Sequence, residues 1–138
     1  MEVLLSFLQG SPTHPLPAYS FWEFYIKNGI EEAGFKWQEV PKVDWVFGMV
    51  PQTQDSFLQW KQDAWQKTLQ YIKKNKVDLF LSYLYPQQVD IEVLTEIKKL
   101  GIPIVNFFCD NVREFKKIPE AFSVFDLNWV PEYKAIQM

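Results

Sequence analysis

Gly101-Ile102-Pro103-Ile104-Val105-Asn106-Phe107-Phe108-Cys109-Asp110-Asn111-Val112-Arg113 reads as a helix end, a buried strand and then an abrupt polar cluster. A short apolar run between turn signals is the pattern of a central parallel strand with both faces covered by helices. In open α/β sheets, ligands bind in the crevice beyond the carboxyl ends of the strands. Asp110, Asn111 and Arg113 therefore fall at the edge where recognition or chemistry occurs.

On either side of this stretch, strand and helix patterns alternate. Residues 2–9 are short and almost wholly apolar, which predicts a first strand. Residues 10–17 hold a glycine and three prolines and must be a loop. Ser20 and Glu23 have capping-box spacing, and Phe21, Tyr25, Ile26, Ile30 and Ala33 predict the buried stripe of a helix closed by Gly34. Residues 35–40 alternate as a second strand, nearer a sheet edge. Residues 41–53 form a long loop whose Trp45, Phe47 and Met49 either pack down on the domain or await a partner.

An amphipathic helix over 55–74 carries Leu58, Trp65, Leu69 and Ile72, with Asn75 as its stop. Residues 77–83 predict a third strand. Asp90 caps a helix that turns Ile91, Leu94 and Ile97 inward and ends at Gly101. The quoted strand is fourth, and 116–121 is irregular or briefly helical. Residues 125–130 predict a fifth strand stopped by Pro131, and 132–138 begin a helix without room to finish. This alternation implies right-handed βαβ crossovers: an α/β, Rossmann-like three-layer sandwich whose mostly parallel sheet has about five strands. Residues 1–138 make a single domain on this reading.

Composition narrows the function. The chain is 48% hydrophobic and 22% charged, the balance of an ordinary globular protein. Aromatics reach 17%, enough to fill a core and still line a cleft for ring-bearing ligands. A net charge of -3 gives nucleic-acid binding no basic surface to use. Cys109 is the only cysteine, which rules out an intramolecular disulfide and suits a reducing cytosol. No apolar run approaches membrane-spanning length, so the expectation is a cytoplasmic protein.

Chemical signatures are sparse. Gly10 follows the first strand, but no phosphate-cradling G-x-G-x-x-G or P-loop surrounds it. His14 is the only histidine and lies on the functional edge, where imidazole serves as a general base near neutral pH. Its alternative is a loop histidine with no partner. Cys109 reads as a small buried hydrophobe at a strand end. Asp110 and Asn111 suit a polar ligand or a turn cap. Arg113 suits a phosphate or carboxylate, or a surface pair with Glu114 or Asp110. Tyr83, Tyr85 and Gln87 follow the third strand on the same edge, either at a ligand or packed around Pro86. No carboxylates have metal-ligand spacing and there is no Asp-x-Asp.

Four segments carry a resemblance: Leu4-Leu5-Ser6-Phe7-Leu8-Gln9-Gly10, His14-Pro15-Leu16-Pro17, Asn106-Phe107-Phe108-Cys109-Asp110-Asn111 and Trp129-Val130-Pro131-Glu132-Tyr133. Together they resemble the amino-terminal half of CgeB-like glycosyltransferases of the GT-B fold (group 1, family 4-like). The resemblance implies retaining transfer of a sugar from a nucleotide-sugar co-substrate, usually without a bound metal or other cofactor. It also implies that the amino-terminal domain shapes the acceptor side and that the carboxy-terminal domain binds the donor. On this reading the chain lacks its donor domain, is a truncated product or fragment, and is inactive alone. Its partners would be a carbohydrate or other hydroxyl-bearing acceptor and the missing domain or a partner chain. Gly10, Ser11, Tyr85, Asp110, Asn111 and Arg113 would line the cleft. His14 would polarise or deprotonate the acceptor hydroxyl, and Arg113 would meet a donor phosphate. The rival reading is a stand-alone Rossmann-like binding or interaction module using Trp45 to Met49 as its contact surface.

Overall fold

A computed structural model describes residues 1–9, 22–110 and 115–131. Five strands, β1 (Glu2–Ser6), β2 (Lys36–Glu39), β3 (Leu79–Ser82), β4 (Ile104–Phe107) and β5 (Leu127–Trp129), form one sheet in the order β2-β1-β3-β4-β5. Every neighbouring pair is parallel. Helix α1 begins as a π-helical turn, Glu23–Lys27, and continues as Asn28–Glu32. Helices α2 (Gln54–Lys74) and α3 (Ile91–Lys99) follow. This is a Rossmann-like α/β fold, and β2 is an edge strand as its alternating sequence predicts.

Strand order dictates the layers. The step from β1 to β2 runs one way along the sheet, and the steps from β2 to β3 and β3 to β4 run the other. Right-handed crossovers therefore put α1 on one face and α2 with α3 on the opposite face. The packing agrees. Trp22, Ile26 and Ile30 cover Val3, Leu5 and Phe107 on one side. Ala64, Trp65, Ile72, Leu94 and Ile97 cover Leu4, Phe80 and Ile104 on the other. Successive side chains of a strand point to opposite faces, so a continuous apolar run serves both layers at once.

The helix ends follow their local chemistry. The Thr53 hydroxyl accepts from Ser56 N–H at 3.1 Å to start α2, and Asp90 Oδ1 accepts from Val93 N–H at 3.0 Å to start α3. Asn75 Nδ2 donates to Tyr71 C=O at 2.9 Å where α2 stops. Gly34 and Gly101 hold φ of 84° and 81°, the left-handed conformation that closes α1 and α3.

Some predicted details are corrected. β1 ends at Ser6, short of residue 9, because Leu8 adopts φ 56° and Gln9 Oε1 takes Phe7 N–H at 2.9 Å, turning the chain out of the sheet. Tyr25 is 59% exposed and Ala33 is exposed, since the π-turn shifts the phase and puts Trp22, Ile26 and Ile30 inward. Leu58 is exposed because α2, 21 residues long or about 31 Å at the α-helical rise, overhangs strands of three to five residues. Ile91 is exposed too, and Val93 takes the inward position beside Leu94 and Ile97.

The aromatic segment after β2 is packed down. Trp45 is fully buried, edge-on to Trp65 at 5.2 Å and to Trp60 at 5.9 Å. Trp60 Nε1 donates to Asp44 C=O at 2.8 Å, and its ring lies so close over Gly48 that any Cβ there would overlap it. Trp45 is thus unavailable as a contact surface. Among the described residues, no helix is long and apolar enough to cross a membrane.

Candidate functional site

The strand order reverses between β1 and β3, which makes the carboxyl ends of these strands the topological switch point. On the α1 face this point is filled with rings. Phe7 lies 5.8 Å from Tyr83 and 5.9 Å from Trp22, and Tyr83 and Trp22 are 5.7 Å apart. The polar groups gather one strand along, where β3 and β4 end side by side.

Asn106 sets that region's geometry. It is fully buried, in register with Ser82. Its Oδ1 accepts from Leu84 N–H at 3.0 Å and from the Ser82 hydroxyl at 2.9 Å, and its Nδ2 donates to Leu84 C=O at 3.3 Å. One carboxamide thereby replaces the ladder bonds that end with β3. The fully buried Gln88 holds the next residue: its Oε1 accepts from Tyr85 N–H at 3.0 Å while Nε2 donates to Trp45 C=O at 3.0 Å. Trp65 Nε1 closes the frame on Gln88 C=O at 2.8 Å.

Tyr85, clamped on both sides, points its phenol at β4. The hydroxyl donates to Asp110 Oδ2 at 2.6 Å, and the ring stands edge-on to Phe108 at 5.2 Å. The Cys109 thiol donates to Tyr83 Oη at 3.8 Å. Burial pushes the Tyr85 hydroxyl up to about 12, with the Asp110 hydrogen bond adding to it. Burial raises the Tyr83 hydroxyl further still, and raises the Cys109 thiol despite its bond to Tyr83. Both phenols are therefore neutral donors at neutral pH, and Cys109 stays a thiol, which argues against a nucleophilic role. Asp110 has one oxygen engaged by Tyr85, and Oδ1 has no partner among the described residues. That oxygen can accept a hydroxyl from a ligand.

Of the residues singled out from sequence, Tyr85 and Asp110 are brought together. Gly10, Ser11, His14, Asn111 and Arg113 lie outside the described residues. Asn106, Ser82 and Gln88 escaped sequence reasoning. Their only signal is a polar side chain inside or just beyond an apolar strand, where burial demands a partner. Among the described residues, surface grooves of about 460, 260 and 290 Å³ lie along α2 and α3, at Lys98–Asp126 and beside Val40, away from this pair. Among the described residues, no group of three or more His, Cys, Asp or Glu is arranged to hold a metal ion. No family model, curated protein or solved structure matches the chain.

Proposed function

We propose that this chain is the acceptor-side half of a GT-B glycosyltransferase, completed by a donor-binding domain or partner chain, and that it works in the cytoplasm. The observation that carries this reading is the Tyr85–Asp110 pair, 2.6 Å apart at the carboxyl edge of a parallel sheet. A carboxylate steadied by a neutral phenol, with its second oxygen free among the described residues, suits an incoming hydroxyl group. Asp110 would orient the acceptor hydroxyl, and Tyr85 would fix the Asp110 rotamer. By resemblance, His14 would take the hydroxyl's proton and Arg113 would meet the donor phosphate. Gly10, Ser11 and Asn111 would line the same cleft. The new glycosidic bond then forms at the sugar's anomeric carbon as the nucleotide leaves with its phosphates.

The test is transfer itself. The gene product, purified from its source with whatever it is joined to, should move a labelled sugar from at least one of a set of nucleotide-sugars to an endogenous acceptor. Asp110→Asn should reduce that transfer at least tenfold. Absence of transfer from every donor offered, or full activity in Asp110→Asn, would defeat the reading.

A further inference from the structure

The groove of about 290 Å³ beside Val40 runs along one face of α2. Lys67, Gln70, Tyr71 and Lys74 line it with the i, i+3, i+4, i+7 spacing that puts side chains on one side of a helix. Lys42, in the turn after β2, and Asn75, at the helix end, complete it. Tyr71 is fixed by its hydroxyl, which donates to Gln38 Oε1 at 2.6 Å. None of the described lining residues is acidic. The groove along α3, by contrast, holds Glu92 and Glu96, and the one at Lys98 holds Asp126.

Lys42 distinguishes this groove from an ordinary solvated face. Its φ is 61°, a left-handed conformation that glycine adopts at lower cost than a residue with a Cβ. Lys42 is exposed and forms no ion pair among the described residues, so neither packing nor pairing accounts for a lysine there. Its carbonyl accepts from Lys67 Nζ at 3.5 Å, a contact that glycine would keep. Backbone strain retained without a packing reason points to use of the side chain. Lys74 is likewise exposed and unpaired among the described residues. Lys67 Nζ lies 2.7 Å from Asp63 Oδ2, but these side chains are 41% and 54% exposed, and such pairs yield readily to a competing anion.

The carbonyl end of α2 repels an anion within its last turn. Bound charge therefore belongs beside Lys42 and Lys67, about 10 Å back along the helix axis from Lys74 at the α-helical rise. Ammonium groups recognise phosphate as point charges. A net charge of -3 over the whole chain works against a polyanion and leaves a small ligand. We infer that Lys42 and Lys67, with Lys74 at the rim, bind the phosphate group of a small molecule. The site borders edge strand β2, and β1 separates it from the strands that lead to Tyr85 and Asp110. It stands independently of the glycosyltransferase reading.

Titration of the whole chain with sodium pyrophosphate, read by amide chemical shifts at an ionic strength fixed with sodium chloride, tests this. Saturable shifts should centre on Lys42, Lys67 and Gln70. Lys42→Gly and Lys67→Gln should each weaken binding at least fivefold. Without ligand, Lys42→Gly should unfold at or above the wild-type temperature, because glycine relieves the left-handed turn. Shifts that follow ionic strength alone, or that spread equally to the exposed Lys36 and Lys116, would overturn the site. So would unchanged binding in Lys42→Gly. A lower unfolding temperature for Lys42→Gly would also overturn it, since the lysine would then serve the fold. Vesicles of phosphatidylcholine and phosphatidic acid present the same phosphate on a membrane and should not bind the chain. Capture by those vesicles with no response to pyrophosphate would assign the lysines to a lipid headgroup and defeat the small-molecule site.

Discussion

The two ends of the sheet solve the same problem in opposite ways. At the amino end, strands begin with N–H groups that no ladder satisfies, and carboxylates take them. Asp78 Oδ2 accepts from Glu2 N–H at 2.7 Å and Asp126 Oδ2 from Ile104 N–H at 2.8 Å. Lys98 then pairs with Asp126 at 3.4 Å and donates to Val124 C=O at 3.1 Å. These ties are partly exposed, charged and closed on one another. At the carboxyl end Asn106 and Gln88 make buried, neutral ties, with the Tyr85–Asp110 bond beside them, and among the described residues Gln9 Nε2 and Trp45 Nε1 have no acceptor. One end is closed by charged, partly exposed side chains and the other chiefly by buried carboxamides.

Removing the carboxyl-end clamp should do the most damage. Asn106→Ala deletes three hydrogen bonds and strands Leu84 N–H in the core. A cost of about 2–4 kcal/mol in denaturant unfolding is expected. A cost under about 1 kcal/mol would show that the clamp is incidental. Gly48→Ala comes next, at about 1–3 kcal/mol, because its methyl would meet the Trp60 ring beside Trp45. Tolerance of Ala there, by the same measurement, would mean that the tryptophan layer is looser than described.

Alkaline pH separates the ends as well. Tyr85 keeps its proton to about 12 when folded, against an ordinary value of 10.0. The folded chain then binds more protons than the unfolded one, so this stabilisation is complete below 10.0 and is lost as pH climbs through about 12. Tyrosinate absorbance should show the Tyr85 titration moving down in Asp110→Asn, although burial keeps it above 10.0. An unmoved titration would deny the pairing. The smallest effect belongs to the amino end. Asp126→Asn should cost under about 1 kcal/mol, and less in high salt, as exposed ion pairs do. A larger or salt-independent cost would erase the contrast between the two ends.

Much of the fold was legible because it depends on local rules. Alternating apolar segments announced the parallel sheet, and Gly34, Asp90 and Gly101 marked helix boundaries where backbone geometry requires such residues. The strand ends were misjudged because an apolar residue looks alike in a strand and in the buried turn after it, as Phe7, Leu8 and Tyr83 show. At the site, Asp110 and Tyr85 were visible as polar residues after strands. Asn106 and Gln88 were not, since the Ser82, Leu84 and Trp45 groups they bond lie far away in sequence.

Ligand contact at the carboxyl end is the claim on which the rest depends. Amide chemical-shift mapping of the whole chain, titrated with glucose, galactose, mannose and N-acetylglucosamine, tests it directly. Shifts should concentrate at Leu84, Tyr85 and Asp110, with Gly101, Ile104 and Asp126 unmoved. Shifts confined to the amino end, or none at saturating sugar, would contradict it.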